Sequence, residues 1–172
     1  MHPTNISKLK SSDFTNVFTD RHLSFSNKRR IEINKKLMDS EVARKKGKTS
    51  LALDKLEYDK NSQDVRLLAG TPIIATTNNL KLEIYNNETF IIKQIQHSKQ
   101  NIVIVDDAGA TKDICFCDFQ KMFYVAYCIT IHKAQGVSYD HAYTIHEWHK
   151  LDARLKYVAL SRTMKLEYIN VI

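Results

Sequence analysis

The sequence contains little of what flexible or membrane-crossing chains are built from. Its 172 residues include only 4 Gly and 2 Pro, which excludes collagen-like repeats, flexible linkers and low-complexity tracts. The longest apolar runs, at residues 102–105 and 123–131, fall well short of the roughly 20 residues that cross a bilayer. The N-terminus lacks a charged segment followed by an apolar stretch, so we expect no secretory signal and no membrane association. The expected location is intracellular, in the nucleus, the cytoplasm or a viral replication site.

Cysteine is also scarce. Cys115, Cys117 and Cys128 are an odd number of closely spaced thiols within apolar sequence, which does not fit a disulfide framework. We therefore expect buried free thiols. A zinc site that combines Cys115 and Cys117 with the histidines would lack the usual C-x2-C and H-x3-H pairs, so we predict no metal ligands. The histidines in question are His141, His146 and His149.

The positive charge is concentrated in the first third of the chain. The net charge is +7, and residues 1–50 hold 12 Lys and Arg against 5 Asp and Glu, whereas residues 51–172 hold 14 of each. Such a block fits either a surface that faces phosphates or a solvated, partly disordered arm. Composition alone leaves both open.

Apolar periodicity predicts an α/β protein that is interrupted by a β-rich insert. After a flexible lead-in at residues 1–20, a strand at residues 22–26 feeds a helix with Asn27 as its N-cap, and residues 44–61 form a surface connection. Five short β segments follow, at residues 71–76, 89–95, 101–106, 113–116 and 122–126. The C-terminal part alternates helix and strand, at residues 130–135 (helix), 141–145 (strand), 151–160 (helix) and 166–172 (strand).

Two apparent phosphate or metal motifs do not meet the chemistry they would need. Gly47, Lys48 and Thr49 match the end of a phosphate-binding loop, but Val42 stands where the first glycine should be and no apolar strand precedes it. The pair at residues 106–107 follows an apolar strand but leads into Ala-Gly, which is typical of a hairpin turn. Neither motif supports a nucleotide site.

Two other strings are specific. Residues 130–136 read TIHKAQG, and residues 157–162 read YVALSR about twenty residues later. This pair resembles motifs V and VI of superfamily 1 helicases, in the RecD-like and PIF-like branch, where the patterns are T-x-H-K-x-Q-G and Y-V-A-L-S-R. Both strings stand in the order and at the spacing of that family, and strand-like sequence flanks each.

Two weaker matches extend the resemblance to residues 21–172. Residues 70–87 are similar to a family segment in which a G-x-x-V strand leads to an N-G turn; here Asn87 stands in place of the glycine, and Asn can still adopt a left-handed backbone. Residues 23–34 resemble motif IV, a strand that feeds a helix near the nucleotide. The first motor domain of the family, which carries the phosphate loop and the magnesium carboxylate, has no counterpart in this sequence.

The resemblance implies a C-terminal, second RecA-like domain: a parallel sheet flanked by helices, with a small antiparallel SH3-like insert at about residues 88–120. It implies part of an ATP-dependent DNA helicase with roles in DNA replication and repair, which translocates 5′ to 3′ as a monomer. The implied partners are single-stranded or forked DNA and the first RecA-like domain, and ATP and Mg²⁺ are the implied cofactors, the metal being held by the first domain. Alone, the chain is expected to be inactive as an ATPase.

The resemblance also assigns roles to residues. Arg162 is the expected arginine finger, because a guanidinium can stabilise the charge that develops on the transferred phosphoryl group. Gln135 and Gly136 are expected near the nucleotide. Thr130, His132 and Lys133 are expected to grip the phosphates of single-stranded DNA.

The basic residues that follow the first strand have two possible roles. Lys28 is expected to contact the DNA backbone, whereas Arg29 and Arg30 could contact either the DNA or the γ-phosphate of ATP. Trp148 could stack on a base, although a single Trp more often anchors a core. The alternative function is a non-catalytic module that binds nucleic acid or protein and keeps a helicase-derived fold.

Overall fold

The computed structural model describes Ile6, residues 9–14 and residues 19–172, and it divides into two compact units. The parallel unit joins the described residues up to Ile33 with Cys128–Ile172, and the antiparallel unit is Asn34–Tyr127. Most of the predicted flexible lead-in lies outside the described residues; within it, Ser11–Asp13 forms a 3₁₀ helix. In the described part of the chain, no helix combines the length and the apolar character that crossing a membrane requires.

The described part of the chain contains eleven strands and three α-helices. The strands are β1 (Arg21–Ser24), β2 (Leu51–Leu53), β3 (Val65–Leu67), β4 (Pro72–Ala75), β5 (Thr89–Gln96), β6 (Asn101–Val105), β7 (Thr111–Cys115), β8 (Phe123–Val125), β9 (Cys128–Thr130), β10 (Tyr143–Ile145) and β11 (Ile169–Val171). The helices are α1 (Asn27–Arg44), α2 (Phe116–Met122) and α3 (Ala153–Leu160).

The parallel unit is built on a four-stranded sheet in the order β11-β10-β1-β9, in which every neighbouring pair is parallel. Leu23 in β1 pairs with Ile145 and Ile129, so the apolar side chains of three strands share one face of the sheet. That face packs on α3, where the Tyr143 hydroxyl donates to the Ala159 carbonyl at 2.6 Å. The opposite face is polar. The predicted parallel α/β architecture is confirmed.

Helix α1 begins one residue away from the predicted cap. The backbone N–H of Arg29 donates to the Ser26 hydroxyl at 3.2 Å, and the Arg30 N–H donates to the Ser26 carbonyl at 3.1 Å. Ser26 is therefore the N-cap, and the prediction of Asn27 is wrong by one position. The Asn27 side chain instead accepts from Arg30 Nε at 2.9 Å.

The antiparallel unit contains a five-stranded sheet in the order β7-β6-β5-β4-β8 and a separate β2-β3 pair. Its core is built from Ile, Leu, Val and Phe side chains of both sheets, with Phe119 and Phe123 stacked at 5.6 Å between ring centroids. The expected insert at residues 88–120 corresponds to β5, β6, β7 and most of α2. The antiparallel unit extends beyond this insert, because its sheet also includes β4, which pairs with β5 on one side and with β8 on the other.

Local structure departs from the prediction in other places as well. The sequence predicts a helix at residues 130–135, but Thr130 ends β9 and residues 131–136 form turns, in which the Ala134 N–H donates to the Thr130 carbonyl at 3.0 Å. Residues 44–61, predicted as a surface connection, contain β2, where the buried Leu51 pairs with Leu67. Strand β2 has only two apolar positions, Leu51 and Leu53, within a stretch rich in Lys and Asp, so its alternation is too weak to predict it.

Candidate functional site

The segments that follow β1 and β9 leave the parallel sheet side by side. Ser24, the last residue of β1, pairs with Thr130, the last residue of β9, and the Ile131 N–H donates to the Ser24 carbonyl at 2.9 Å. At the same edge, the His146 N–H that follows β10 donates to the Leu23 carbonyl at 2.8 Å. In open α/β sheets, ligands bind at this carboxyl edge of the strands.

The segment at residues 130–136, which we call the TIHKAQG turn, mixes buried and exposed groups. Thr130 is buried, and its hydroxyl accepts the Lys133 N–H at 3.4 Å, so this hydroxyl shapes the turn. The His132 and Gln135 side chains are exposed. Gly136 has φ +90°, a backbone conformation that residues with a side chain rarely adopt. No atom lies within 4 Å of the position that a Cβ would occupy. The turn therefore offers an imidazole, an amide and bare backbone to a ligand.

Arg162 holds the TIHKAQG turn against the end of α3. Its Nη1 donates to the carbonyls of Ala134 at 2.9 Å and Val137 at 3.2 Å, and its Nε donates to the Val158 carbonyl at 2.9 Å. Nη2 donates to the Ser161 hydroxyl at 2.8 Å. These bonds use four of the five guanidinium hydrogens. The strings TIHKAQG and YVALSR, 21 residues apart at their nearest ends, are thus joined in space by the predicted finger residue.

The basic residues at the start of α1 differ in exposure. Lys28 is exposed and Arg29 is half-buried, with an ion pair to Glu32 at 3.3 Å. Arg30 is only 1% exposed. Burial, and secondly the charge of Arg30, lower the pKa of Lys133 in the TIHKAQG turn. Because the positive charges of Lys133 and Arg30 repel each other, an anion that binds beside them would be stabilised.

Ser26 and Glu147 tie the end of β10 to the N-terminus of α1. The Glu147 carboxylate accepts from the Ser26 N–H at 2.9 Å and from its hydroxyl at 3.0 Å, and it also accepts from Lys150 Nζ at 2.7 Å. Although burial alone would raise the pKa of Glu147, these bonds lower it. Glu147 has φ +59°, a strained conformation for this residue. Sequence analysis missed both residues; only the Ser that precedes a helical stretch carried a signal.

A pair of histidines, of which His146 is buried and His22 partly buried, lies on the polar face of the parallel sheet. His22 Nδ1 and His146 Nε2 are 3.0 Å apart. Burial, above all, lowers the pKa of each to about 4, and His22 contributes further to the shift of His146. Both rings are therefore neutral at physiological pH, which requires one nitrogen of the contact to donate and the other to accept. Sequence analysis missed this pair, because the two residues are 124 positions apart.

Trp148 belongs to the core. It is 5% exposed, its Nε1 donates to the Leu9 carbonyl at 3.1 Å, and Phe14 packs edge-on at 5.5 Å between ring centroids. The suggestion that it stacks on a base is therefore not supported by its position. Of the aromatic residues near the sheet edge, Phe25 is the exposed one within the described chain, at 36%.

The fold matches that of solved DNA helicases over nearly the whole chain. No family model and no curated protein matches the sequence. A structure of two coordinating Pif1 helicases at forked double-stranded DNA is 20% identical over 98% of this chain and 45% of that one, with a TM-score of 0.69. Pif1 from Candida albicans is 11% identical over 94% and 48%, with a TM-score of 0.66. Bacteroides Pif1 with ADP-AlF3 and single-stranded DNA is 18% identical over 98% and 43%, with a TM-score of 0.59.

These likenesses confirm the predicted RecA-like fold. The chain spans less than half the length of each of these three helicases.

Proposed function

We propose that the chain is the second motor domain of an ATP-dependent DNA helicase of the PIF-like branch. The observation that carries the proposal is the bond between Arg162 and the Ala134 carbonyl, which joins the two helicase-like strings at the carboxyl edge of a parallel sheet. The matched Pif1 structures, which include complexes with DNA and with a nucleotide analogue, support it. Translocation from 5′ to 3′, a monomeric state and an intracellular location are parts of the same proposal.

The TIHKAQG turn is the proposed grip on single-stranded DNA. Exposed His132 and the partly buried Lys133 offer donors to a phosphate, and Arg30 adds positive potential beside Lys133. Thr130 acts by holding the turn, because its hydroxyl already accepts the Lys133 N–H. Lys28, exposed at the start of α1, extends the positive surface along which a strand would lie.

The far end of the same turn is the proposed contact with ATP. Gln135 and Gly136 are exposed, and Arg162 lies against the carbonyls beside them, so a phosphate would meet an amide, bare backbone and a guanidinium. Arg29, half-buried at the start of α1, could serve either ligand. A nucleoside triphosphate fits these donors. Mg²⁺ does not fit the Glu147 carboxylate, because Ser26 and Lys150 already engage it, and the proposed metal ligands belong to the first motor domain.

One turn would then couple the two ligands. If the Arg162 guanidinium turned towards a γ-phosphate, its bonds to Ala134 and Val137 would lengthen or break, and the turn that carries His132 and Lys133 would be released. Cleavage of ATP would restore those bonds. Grip on the strand and the state of the nucleotide are linked by this exchange of acceptors.

Fluorescence anisotropy of a labelled single strand tests the DNA grip. The 172-residue chain should bind weakly, and affinity should fall steeply as salt rises, because phosphate contacts release counterions. His132→Ala and Lys133→Ala should each weaken binding, by about three- to tenfold. Lys99→Ala, which removes an exposed charge from the antiparallel unit, is the matched control and should have no effect. Equal losses for all three variants would reject the assigned grip.

ATP hydrolysis tests the catalytic part. The chain alone should hydrolyse ATP negligibly, and a longer chain that includes a first motor domain should lose hydrolysis on Arg162→Ala while it keeps nucleotide binding. Brisk turnover by residues 1–172 alone would show that the domain assignment is wrong.

A non-catalytic nucleic-acid-binding or interaction module is the second candidate. One observation favours it: the Arg162 guanidinium already donates four hydrogen bonds to acceptors of its own chain. In that case Arg162→Ala in the longer protein would leave ATP hydrolysis unchanged, and only DNA binding would respond.

A further inference from the structure

Cys115 and Cys117 bring two sulfur atoms together on the surface of the antiparallel unit. Cys115 ends β7 and precedes the first turn of α2, which contains Cys117. The two Sγ atoms are 2.7 Å apart. Cys117 is exposed and Cys115 partly exposed, so the expectation of buried thiols is wrong for this pair and holds for Cys128 alone.

The separation of the sulfur atoms favours a bond between them over a shared metal. Two thiolates on one zinc ion, each about 2.3 Å from it, stand roughly 3.8 Å apart in tetrahedral geometry, whereas a disulfide bond is about 2.05 Å long. The observed 2.7 Å lies on the disulfide side. Asp118, whose carboxylate is within 4.8 Å of both sulfur atoms, pairs with Lys121 Nζ at 3.0 Å and so has a competing cation.

A small reagent can reach the pair. A surface cavity of about 530 Å³ in the antiparallel unit is lined by Cys115, together with Asn79, Asn101, Asp113 and Lys121. Cys117 lies outside this lining but is exposed, so a small disulfide can meet its thiol directly from solvent. Cys128, by contrast, is buried in the parallel sheet, and burial raises the pKa of its thiol to about 12.

We propose that Cys115 and Cys117 form a reversible intramolecular disulfide, with a small-molecule disulfide such as glutathione disulfide as the oxidant. The site does not depend on the proposed motor function.

The thiol–disulfide exchange would proceed in two steps. The Cys117 thiolate attacks one sulfur of the oxidant, whose S–S bond breaks and releases one thiolate, and a mixed disulfide remains on Cys117. The Cys115 thiol then loses its proton to water and attacks Cys117 Sγ, which expels the second thiolate. Two cysteine thiols lose two protons and two electrons, and the oxidant gains them as two small thiols.

The bond would be readily reversed. It closes a ring over a single intervening residue, Phe116, and such a tight ring restricts the bond geometry, which makes a disulfide easier to reduce. Hydrogen bonding with Cys115, the largest cause, raises the pKa of Cys117, so its thiolate is scarce at neutral pH. Oxidation should therefore accelerate as pH rises.

The experiment equilibrates the full chain with mixtures of glutathione and glutathione disulfide, quenches in acid, and alkylates under denaturing, non-reducing conditions before intact-mass measurement. The reduced chain should take up three alkyl groups, one for each cysteine. The oxidised chain should be lighter by about 2 Da, the mass of two hydrogens, and should take up a single group, on Cys128. Adding reductant should restore the reduced pattern.

Variants identify the pair. Cys128→Ala should keep the loss of two hydrogens, whereas Cys115→Ser should abolish it and leave a stable glutathione adduct on Cys117. The proposal would be overturned by a glutathione adduct that persists on the unmodified chain, or by covalent dimers on non-reducing gels. It would also be overturned if the purified chain retained one zinc ion per molecule and lost it in Cys115→Ser, since the pair would then be a metal site.

Discussion

Arg162 Nη1 donates to the carbonyl of Ala134 at 2.9 Å, and this bond fixes the TIHKAQG turn to the end of α3. The guanidinium therefore has a structural role in the parallel unit before any nucleotide is present. If Arg162 also serves as the proposed arginine finger, a phosphate that binds it would disturb the bonds that hold the TIHKAQG turn.

The first prediction concerns Arg162→Ala in the chain alone. Loss of the bonds to Ala134, Val137 and Val158 should lower the free energy of unfolding by about 2 kcal/mol, because partly buried carbonyls lose their donors. Binding of single-stranded DNA should weaken as well, since the turn is no longer held. Urea denaturation and anisotropy measure the two effects. Arg154→Ala, at an exposed position of α3, is the control and should change neither quantity. Unchanged stability in Arg162→Ala would show that the brace contributes nothing.

The second prediction concerns the pH dependence of DNA binding. Burial and the charge of Arg30 lower the pKa of Lys133 in the free chain. A DNA phosphate bound beside Lys133 should raise that pKa, because an opposite charge favours the protonated amine, and binding should therefore take up a proton. As pH rises through the lowered pKa, Lys133 loses its charge and affinity should fall, by about threefold or more between pH 7 and pH 10. Lys133→Arg should flatten this decline, because a guanidinium stays protonated. Lys28→Arg, at an exposed site, should keep the wild-type profile; a wild-type profile in Lys133→Arg would exclude Lys133 as the titrating group.

The sequence predicted the elements whose signals are local. Helix α1 and strands β4, β5 and β6 follow from runs of apolar residues with clear periods, and the turn at Asn87 follows from the tolerance of Asn for a left-handed backbone, observed at φ +71°. The strings around Thr130 and Arg162 predicted that two distant segments meet, and the structure joins them.

What the sequence could not predict depends on long-range contacts. Glu147 accepts from Ser26, the N-cap of α1, which lies 121 positions earlier, and no pattern within its own segment marks that partner. His22 and His146 come together because β1 and β10 are neighbours in the sheet, which follows from strand order and not from spacing. Tyr157, the first residue of the string YVALSR, is 53% exposed, since periodicity places a residue on a helix face without saying what covers that face.

The third prediction concerns acid stability. The folded-state pKa values of His22 and His146 are lowered to about 4 from an ordinary 6.5, so the unfolded chain binds more protons than the folded chain between those values. Stability should therefore be complete above about pH 6.5 and fall as pH drops towards 4, by on the order of 3 kcal/mol for each ring. Urea denaturation at a series of pH values measures the slope.

Substitution of one histidine separates this pair from other acid-sensitive groups. His146→Gln removes one titrating ring and should make the decline between pH 6.5 and pH 4 shallower. His149→Gln, at an exposed position nearby, should leave it as in the wild type. If His146→Gln and the wild type lose stability with equal slopes, the buried pair does not control the acid transition.

The fourth prediction is a coupling energy between Ser26 and Glu147. Ser26→Ala removes the N-cap hydroxyl of α1, which should cost about 1 kcal/mol, and Glu147→Gln weakens the charged acceptor of the Ser26 N–H and hydroxyl. Because the two side chains bond to each other, the double variant should lose less than the sum of the single losses, by about 1 kcal/mol. Chemical denaturation of the four proteins gives this difference. Ser98→Ala, an exposed serine of the antiparallel unit, combined with Glu147→Gln should be additive. Additivity in the Ser26 cycle too would mean that the carboxylate does not support the helix start beside the proposed phosphate sites.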